Sequence, residues 1–271
     1  MNEQLKDRFP KWCFDNRQFA TVLTDDIDSL LGCMIEKYVK GNEINHFYDF
    51  NKLYVMDKNV RLPMLGIDLA LHKGYSWDNH CIRINKDDYV NPLTANLNAI
   101  RNIHTGNYFD KYAGSTVLIM WSFYDLPLPK TKLGKMLLLC IDSAYLGHYD
   151  SRFKKEHNRY LEFMGFNELI DLLNETDVQE YENLLKGYKL NAKNGGKIRL
   201  NNEGYLHTQL PLQDLQGLFD IQLELPAEQF TKTHEWEIGY GNTNIVQSKN
   251  QLGSIISFAV TGKNRFSYTH I

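Results

Sequence analysis

Apolar and polar positions near the start of the chain predict a strand, a helix and a second strand. Phe19 to Thr24 is a continuous apolar and β-branched run, which is typical of a buried strand. SLLGCMIEKYVKG then carries apolar residues at helical spacing up to Gly41, and EINHFYDF predicts the next strand. RLPMLGIDLAL is almost uncharged and predicts a third strand, buried on both faces. This order of elements predicts a parallel α/β sheet.

The middle of the chain predicts helices. One is expected to begin near Thr94 in NPLTANLNAIRNI, and a strongly apolar one lies in YFDKYAGSTVLIMWSFYDL, ended by Pro127 and Pro129. KLGKMLLLCIDSAYLG is a further buried segment, which its length allows to be helix or strand. From Ser151 to Leu190 the pattern is helical with many surface charges.

The C-terminal part has a different pattern. Gly, Asn and Thr separate short alternating runs such as FDIQLEL, HEWEIGY and SIISFAVTG, which predict strands. We therefore predict an α/β protein with a parallel-sheet N-terminal lobe and flanking helices, and a smaller, mainly β C-terminal lobe. The predicted divisions are 1–155 for the metal-binding α/β domain, 156–190 for a helical connector and 191–271 for a substrate lobe.

Composition and charge exclude few classes of function. The formal charge of −3 gives no global attraction to nucleic acid, although a local basic groove is compatible with it. The N-terminus is charged from the start and no apolar run is long enough to cross a bilayer, so we expect a cytoplasmic protein without a membrane partner. The four cysteines are scattered singly, which predicts reduced core residues and disfavours a zinc ribbon.

Acidic residues recur where predicted buried segments end. Asp26 and Asp28 follow the first strand, Asp68 ends the third, and Asp142 ends the run KMLLLCID. Because the carboxyl ends of parallel strands meet at one edge of a sheet, we expect these side chains to share a crevice. Hard oxygen ligands with a histidine suit Mn²⁺ or Mg²⁺, and two ions would neutralise so many carboxylates.

The acidic turn DDID also has a simpler interpretation. Aspartates favour helix N-termini, so the turn by itself is more often a solvated cap than a metal site. Asp68 favours the metal site, because an aspartate in an otherwise apolar strand needs a partner. Asp25 is expected to be a neighbour of the site.

Four short motifs together resemble a known family. In order they are DDIDS, GIDLAL, DNH followed by NPLTANL, and LLLCIDSAYLG. Their order and placement resemble the motifs of the DHH phosphoesterase superfamily, which includes RecJ-type exonucleases, oligoribonucleases and manganese pyrophosphatases. The resemblance covers about residues 19 to 150, and each motif alone is weak.

The resemblance implies roles for individual residues. Asp26 and Asp28 would each bind one of two Mn²⁺ or Mg²⁺ ions, and Asp68 would bridge them. Asp142 would be the fourth-motif acid, with Asp150 as a rival, and Asp142 is preferred because it directly ends a buried segment. His80 would contact the phosphate of the substrate, and Asp78 would orient its neighbours.

The third motif departs from the family. Asn79 stands where a histidine normally ligates a metal, and Thr24 stands about where the family has an upstream histidine. An amide oxygen is neutral and a weaker donor to the softer ions, so one ion site is expected to be weakened, to prefer Mg²⁺ or to be lost.

In the family a smaller C-terminal lobe closes over the substrate. Its counterpart here is expected in NAKNGGKIRL, with phosphate contacts from Lys193, Gly195, Gly196, Lys197 and Arg199. The alternative for this stretch is a β-hairpin turn. The basic, aromatic end GKNRFSYTHI is either a base-stacking segment or an ordinary last strand.

Two functional hypotheses result. The first is a metal-dependent phosphoesterase that uses a metal-activated water to hydrolyse phosphodiester bonds of single-stranded nucleic acid or short oligonucleotides. The second is a catalytically degenerate relative that binds a nucleotide or nucleic acid as a regulator or sequestering factor. The metal content of the protein distinguishes them.

Overall fold

A computed structural model describes residues 1–271 and contains twelve strands and ten α-helices. The strands are β1 (Ala20–Leu23), β2 (Ile44–Tyr48), β3 (Lys52–Val55), β4 (Met64–Ile67), β5 (Tyr75–Trp77), β6 (Thr94–Ala95), β7 (Ile198–Leu200), β8 (Leu206–Thr208), β9 (Thr231–Glu235), β10 (Glu237–Asn242), β11 (Ile255–Gly262) and β12 (Arg265–His270). The helices are α1 (Glu3–Lys6), α2 (Ile27–Lys40), α3 (Leu97–Ile100), α4 (Thr116–Phe123), α5 (Lys132–Cys140), α6 (Leu146–Tyr149), α7 (Lys154–Phe163), α8 (Asn167–Glu175), α9 (Val178–Gly187) and α10 (Leu212–Phe219).

The main sheet has seven strands in the order β6-β5-β4-β1-β2-β3-β9. The strands from β6 to β2 pair in parallel, and β3 and β9 are added antiparallel at one edge. The predicted α/β class with a largely parallel sheet is therefore confirmed. With β1 at its centre, this sheet carries the carboxyl ends of the five parallel strands to the same edge.

The first helix after β1 forms as predicted. Asp26 caps its N-terminus, and Gly41 ends it in a left-handed conformation at φ 72°. Gly32 lets α2 approach β4 closely, since a Cβ at this position would lie 2.5 Å from the Ile67 side chain. The close packing of α2 and α4 on the sheet fixes the start of α2 beside the carboxyl ends of the strands.

Two local predictions differ from the structure. The helix expected from Thr94 begins at Leu97, because Thr94 lies in β6, where it pairs with Ser76 of β5, and Asn96 caps the helix. The buried segment before Asp142, for which helix and strand were both open, is helix α5. FDIQLEL forms no strand: its first residue ends α10, and its later residues bury alternate side chains without a pairing strand.

The C-terminal part is mainly β, as predicted. β10, β12 and β11 form a three-stranded antiparallel sheet, and β7 and β8 form a hairpin. β11 is joined to the first part of the chain by single bridges to Leu71 and Cys81. The largest apolar core spans both parts, from Leu5 to Phe230, and the divisions at 155 and 190 stay predictions.

Two further observations concern the chain as a whole. All four cysteines are buried and free, as expected for reduced core residues. None of the helices combines the length and apolar character needed to cross a bilayer.

Candidate metal centre

Polar residues follow four adjacent parallel strands at one edge of the main sheet. Asp25 and Asp26 lie beyond β1, Asp68 directly follows β4, Asp78 follows β5, and Asn96 follows β6. Asp28 and Asp142 approach this edge from the first turn of α2 and the turn after α5. The topology of the sheet therefore brings together side chains that are up to 117 positions apart in the sequence, from Asp25 to Asp142.

Asp28 is a buried acid fixed by the start of another helix. Its two carboxylate oxygens accept hydrogen bonds from the backbone N–H groups of Thr116 and Val117, each at 2.8 Å. A helix N-terminus stabilises a negative charge, and each oxygen keeps a second lone pair. Burial, together with the nearby carboxylates of Asp68 and Asp142, nevertheless raises the pKa of Asp28 well above its usual range.

Asp68 is held in a strained backbone conformation. Its φ of 54° lies in the left-handed region, which an aspartate tolerates at a cost of about 1 kcal/mol or more. The hydroxyl of Thr116 donates to Asp68 Oδ1 at 2.8 Å, so one residue of α4 contacts both Asp68 and Asp28. Burial raises the pKa of Asp68 to about 8. The charge of His80 lowers this pKa, and the nearby carboxylates of Asp26, Asp142 and Asp78 raise it further.

Asp78 and His80 form an oriented pair. Nδ1 of His80 lies 2.7 Å from Asp78 Oδ1, while Asn96 Nδ2 donates to Asp78 Oδ2 and to the backbone carbonyl of His80. Nε2, the other ring nitrogen of His80, has no hydrogen-bond partner in the protein. Burial alone favours the neutral ring, but Asp78, Asp68 and Asp142 outweigh it and raise the pKa of His80 to about 10.

Asn79 connects the third sequence motif to the fourth by a hydrogen bond. Its side-chain N–H₂ donates to the carbonyl of Gly114 at 2.7 Å and to Asp142 Oδ2 at 2.9 Å. Both partners are acceptors, which fixes the orientation of the amide, and its Oδ1 accepts no hydrogen bond from the protein. The structure therefore leaves this hard oxygen available to a cation.

Asp142 lies at the open side of the cluster. It has a left-handed φ of 48°, and its side chain is reached by solvent. Desolvation raises the pKa of Asp142. The charge of His80 lowers this pKa, and the carboxylate of Asp26 raises it. Asp68 and Asp142 are thus two acids that share both a strained backbone and an acid-crowded environment.

The rival for the fourth position, Asp150, lines a cleft together with Asp142 but is paired with an arginine. Asp150 is bound by Arg152 on the surface, with Nη2 2.6 Å from Oδ2, and this interaction lowers the pKa of Asp150 to about 2. No hydrogen bond joins Asp150 to the acidic cluster, whereas Asp142 is joined to it through Asn79.

A lysine neutralises the acidic turn. Nζ of Lys197 lies 2.7 Å from Asp25 Oδ1 and 3.4 Å from Asp26 Oδ2. The other oxygen of Asp26 accepts from the first backbone N–H groups of α2. Burial tends to lower the pKa of Lys197, but Asp26 and Asp25 outweigh this and raise it. Asp26 is therefore close to the cluster, with both of its own oxygens already engaged.

The other four residues predicted in NAKNGGKIRL form no hydrogen bond with the acidic residues. Lys193 is exposed in the turn Ala192–Asn194, and Arg199 is exposed on β7. Gly196 is buried against the preceding loop, where a Cβ would lie 2.0 Å from the carbonyl oxygen of Lys189, and Gly195 takes a left-handed φ of 94°. Of the five residues predicted in this segment, Lys197 is the one that reaches the acidic turn.

The residues fit a hard divalent cation. Ligand atoms of Asp68, Asp78 and His80 all lie within 4.8 Å of one another. The carboxylate of Asp142 is not among these mutually close atoms, but it lies near enough to Asp68 and His80 to raise the pKa of each. Carboxylate and amide oxygens with one imidazole are the ligands that Mn²⁺ and Mg²⁺ accept, and a cation would relieve the mutual repulsion of the acids.

A cleft of about 330 Å³ opens beside Asp68 and His80. Its opposite wall is the C-terminal sheet, including Tyr240, which is 79% exposed, and Tyr268, whose ring stacks on His270 with centroids 5.1 Å apart. The cleft therefore runs from the acidic residues to aromatic side chains. GKNRFSYTHI forms the end of β11, a turn and β12, and so contributes to this wall.

Several polar residues of the site were not predicted from the sequence. Thr116 connects Asp28 to Asp68, and Asn96 joins Asp78 to the backbone of His80. Asn98 connects the third motif to the loop before α4. The Asn-Pro after the third motif marks the neighbourhood of the asparagines, and Ser115 before an apolar run is a helix-cap signal for the turn that holds Thr116. Neither signal identifies the partner of these side chains.

Comparisons with models of known protein families, with curated proteins and with solved structures found no match to this chain.

Proposed function

We propose that this protein is a metal-dependent phosphoesterase of the DHH type that hydrolyses phosphodiester bonds in single-stranded nucleic acid or short oligonucleotides. The observation that supports it most is the convergence of Asp28, Asp68, Asp78, His80 and Asp142 at one sheet edge, with mutual repulsion that a hard cation would relieve. The order of the motifs along the chain supports the same proposal.

Asp68, Asp142, His80 and the amide oxygen of Asn79 are the proposed ligands, and Asp28 is a further acid beside them. A divalent ion held there supplies Lewis acidity toward a phosphoryl group and favours ionisation of water. Asp26 is the weaker candidate, because Lys197 and the first turn of α2 occupy its oxygens. Because Lys197 pairs with Asp25 and Asp26, we assign it to the acidic turn and not to substrate binding.

The remaining residues position the site. Asp78 holds the ring of His80 through Nδ1, so that Nε2 faces a substrate phosphate or an ion. Asn96 fixes both Asp78 and the backbone of His80. Thr116 holds Asp68, and the start of α4 holds Asp28, so the acids are prearranged by groups that belong to a single helix.

Hydrolysis assays with and without divalent ions test this function. The purified chain is incubated with a single-stranded oligonucleotide, a cyclic dinucleotide or a phosphorylated nucleotide in Mn²⁺, Mg²⁺ or EDTA. We expect ion-dependent hydrolysis that Asp68→Asn abolishes. Asp57→Asn is the matched control, because Asp57 is exposed in the loop between β3 and β4, at the opposite edge of the sheet. Absence of hydrolysis from every substrate, or full activity of Asp68→Asn, would refute the proposal.

One pair of observations favours the second candidate, a binding protein without hydrolytic activity. A neutral amide occupies the third-motif histidine position, and the ammonium group of Lys197 already neutralises the acidic turn. For this function we expect metal-independent nucleotide binding with the ligand recovered intact. Mass spectrometry of the ligand and metal analysis of the purified protein distinguish the two functions.

A further inference from the structure

A second cleft leaves the acidic cluster on the side of Asp142. It has a volume of about 510 Å³ and extends from Asp142 past Lys111 to Tyr108 and Phe153. This cleft differs from the one beside His80, which is bounded by the C-terminal sheet. The candidate metal centre therefore lies between two openings, which suits a substrate that continues beyond the reacting group.

Lys111 lines the aromatic end of this second cleft, and two further cations lie over Phe109, a ring that packs against Tyr108 and Phe153 of the lining. Nζ of Lys111 lies 5.1 Å from the centre of the Tyr108 ring, and Lys263 and Arg152 lie 5.3 and 5.4 Å from the centre of the Phe109 ring. At such distances a cation is attracted to an aromatic ring. We call Tyr108, Lys111, Phe109, Phe153, Arg152 and Lys263 the basic aromatic cluster.

The two lysines of this cluster form no salt bridge, although Asp142 and Asp150 line the same cleft and the charge of Lys111 acts on Asp142. Arg152 is neutralised by Asp150, with which it forms two close contacts. Lys111 and Lys263, in contrast, form no salt bridge, and the aromatic rings restrict where their ammonium groups lie. In a chain with a formal charge of −3, two lysines without a salt bridge, each beside an aromatic ring, are suited to binding a second anion.

A rigid connection joins the cluster to the candidate metal centre. Asn98 Nδ2 donates to the backbone carbonyls of Asn79 and Tyr112, and Asn98 Oδ1 accepts from the backbone N–H of Tyr112. Lys111 directly precedes Tyr112, so its backbone position is set by the same asparagine that holds the third motif. Lys263 arrives from the turn between β11 and β12.

We propose that the basic aromatic cluster is a second phosphate-binding subsite, which holds the backbone phosphate of a nucleotide neighbouring the one that reacts. This inference rests on the proposed function and restricts it to substrates with at least two phosphate groups along a strand. Lys111 and Lys263 bind the phosphate, and Tyr108 and Phe109 hold the ammonium groups in position. An oligonucleotide is favoured over inorganic polyphosphate because the first cleft presents Tyr240 and Tyr268 to the organic part of a nucleotide.

Binding measured without hydrolysis tests the subsite. Fluorescence anisotropy of an end-labelled thymidine hexanucleotide is followed in EDTA and in Mg²⁺ at several salt concentrations. We expect Lys111→Gln and Lys263→Gln each to weaken binding roughly fivefold at low salt. Each should reduce the slope of log affinity against log salt by about 0.7. Binding of thymidine monophosphate should be unchanged.

Lys58→Gln is the matched control, because Lys58 is an exposed lysine in the loop at the opposite edge of the sheet. Wild-type affinity and salt slope in both cluster variants would overturn the subsite, as would an equal loss in Lys58→Gln. Tighter binding of inorganic tripolyphosphate than of the hexanucleotide would overturn the choice of an oligonucleotide.

The same measurements separate this inference from the proposed function. Lysine-dependent binding of a hexanucleotide that is never cleaved supports the subsite and refutes the phosphoesterase. Hydrolysis of the hexanucleotide with wild-type KM in both lysine variants supports the phosphoesterase and refutes the subsite.

Discussion

The side-chain amide of Asn79 donates to the carboxylate of Asp142 at 2.9 Å, and this contact joins two sequence motifs that are 63 residues apart. The second N–H of the amide is used by the Gly114 carbonyl. A flipped amide would place its oxygen against two acceptors, so the observed orientation is the favourable one. The asparagine thus holds Asp142 and keeps an amide oxygen that accepts no hydrogen bond from the protein.

Replacing this amide with a carboxylate should destabilise the metal-free protein. Asn79→Asp removes two donors and places a negative charge beside Asp142, so we expect the free energy of unfolding to fall by about 2 kcal/mol or more at pH 7. Urea denaturation in EDTA measures the free energy of unfolding of both proteins. Asn250→Asp, at an exposed position, is the control and should change stability little. Equal stability of Asn79→Asp and wild type would show that the contact contributes nothing.

Restoring a histidine at the third motif should change the metal preference. An imidazole nitrogen is a softer ligand than an amide oxygen, so Asn79→His is expected to increase the affinity for Mn²⁺ relative to Mg²⁺. Isothermal titration calorimetry with each ion measures the ratio of affinities. An unchanged ratio would indicate that residue 79 does not contact an ion.

Stability and metal binding should depend on pH through Asp68. Its pKa of about 8 in the folded chain exceeds the unfolded value, so the folded state binds more protons between about pH 4 and 8. The free energy of unfolding contributed by this group therefore falls as pH rises through that window. A divalent ion displaces the proton, so its apparent affinity should increase with pH toward 8.

Thermal melting between pH 5 and 8.5 measures both effects. Mg²⁺ at a hundred times its dissociation constant should add about 2.7 kcal/mol to the wild type. Asp68→Asn should show a weaker loss of stability with rising pH in EDTA and little gain from Mg²⁺, while Asp57→Asn should behave as the wild type. An equal gain from Mg²⁺ in wild type and Asp68→Asn would contradict the assignment of Asp68 as a ligand.

The ion pairs of Lys197 should stabilise the acidic turn. In Lys197→Gln the carboxylates of Asp25 and Asp26 lose their cation, so we expect a loss of about 1 kcal/mol at pH 7 and low salt. Chemical denaturation measures this. Lys193→Gln, four residues earlier and exposed, should be indistinguishable from wild type. Equal stability of the two variants would show that the lysine is dispensable for the turn.

A buried histidine away from the site should make the protein sensitive to acid. Neither ring nitrogen of His157 has a hydrogen-bond partner, and burial lowers its pKa to about 3, with a smaller contribution from His148. The unfolded chain binds a proton near pH 6.5. Between pH 6.5 and 3 the unfolded state therefore holds the extra proton, and stability falls as pH decreases, by about 1.4 kcal/mol per unit from this group.

His157→Leu should remove this acid sensitivity, which denaturation at pH 7, 6 and 5 measures. The stability of the variant relative to wild type should increase steadily as the pH falls. His207→Gln is the control, because His207 is exposed on β8 and should keep the wild-type dependence. A difference between His157→Leu and wild type that does not vary with pH would show that His157 is not the group responsible.

Much of the N-terminal architecture follows from local patterns. The run from Phe19 to Thr24, the cap at Asp26 and the stop at Gly41 each act through neighbouring residues, and the predicted strand and helix both form. The acids were predicted to share an edge because parallel strands end together, a rule of topology that needs no side-chain detail. FDIQLEL shows the limit of such patterns: its alternation is that of a strand, but no other strand pairs with it.

The partners of the charged groups were decided by the tertiary structure alone. The sequence requires that something neutralise the turn DDID, but Lys197 is 171 residues from Asp26, and packing of the C-terminal part brings it there. The start of α4 likewise contacts Asp28, and Asn79 contacts Asp142, across similar separations in the chain. Electrostatic and hydrogen-bond energies depend on distances of a few ångströms in space, and only the folded chain fixes those distances.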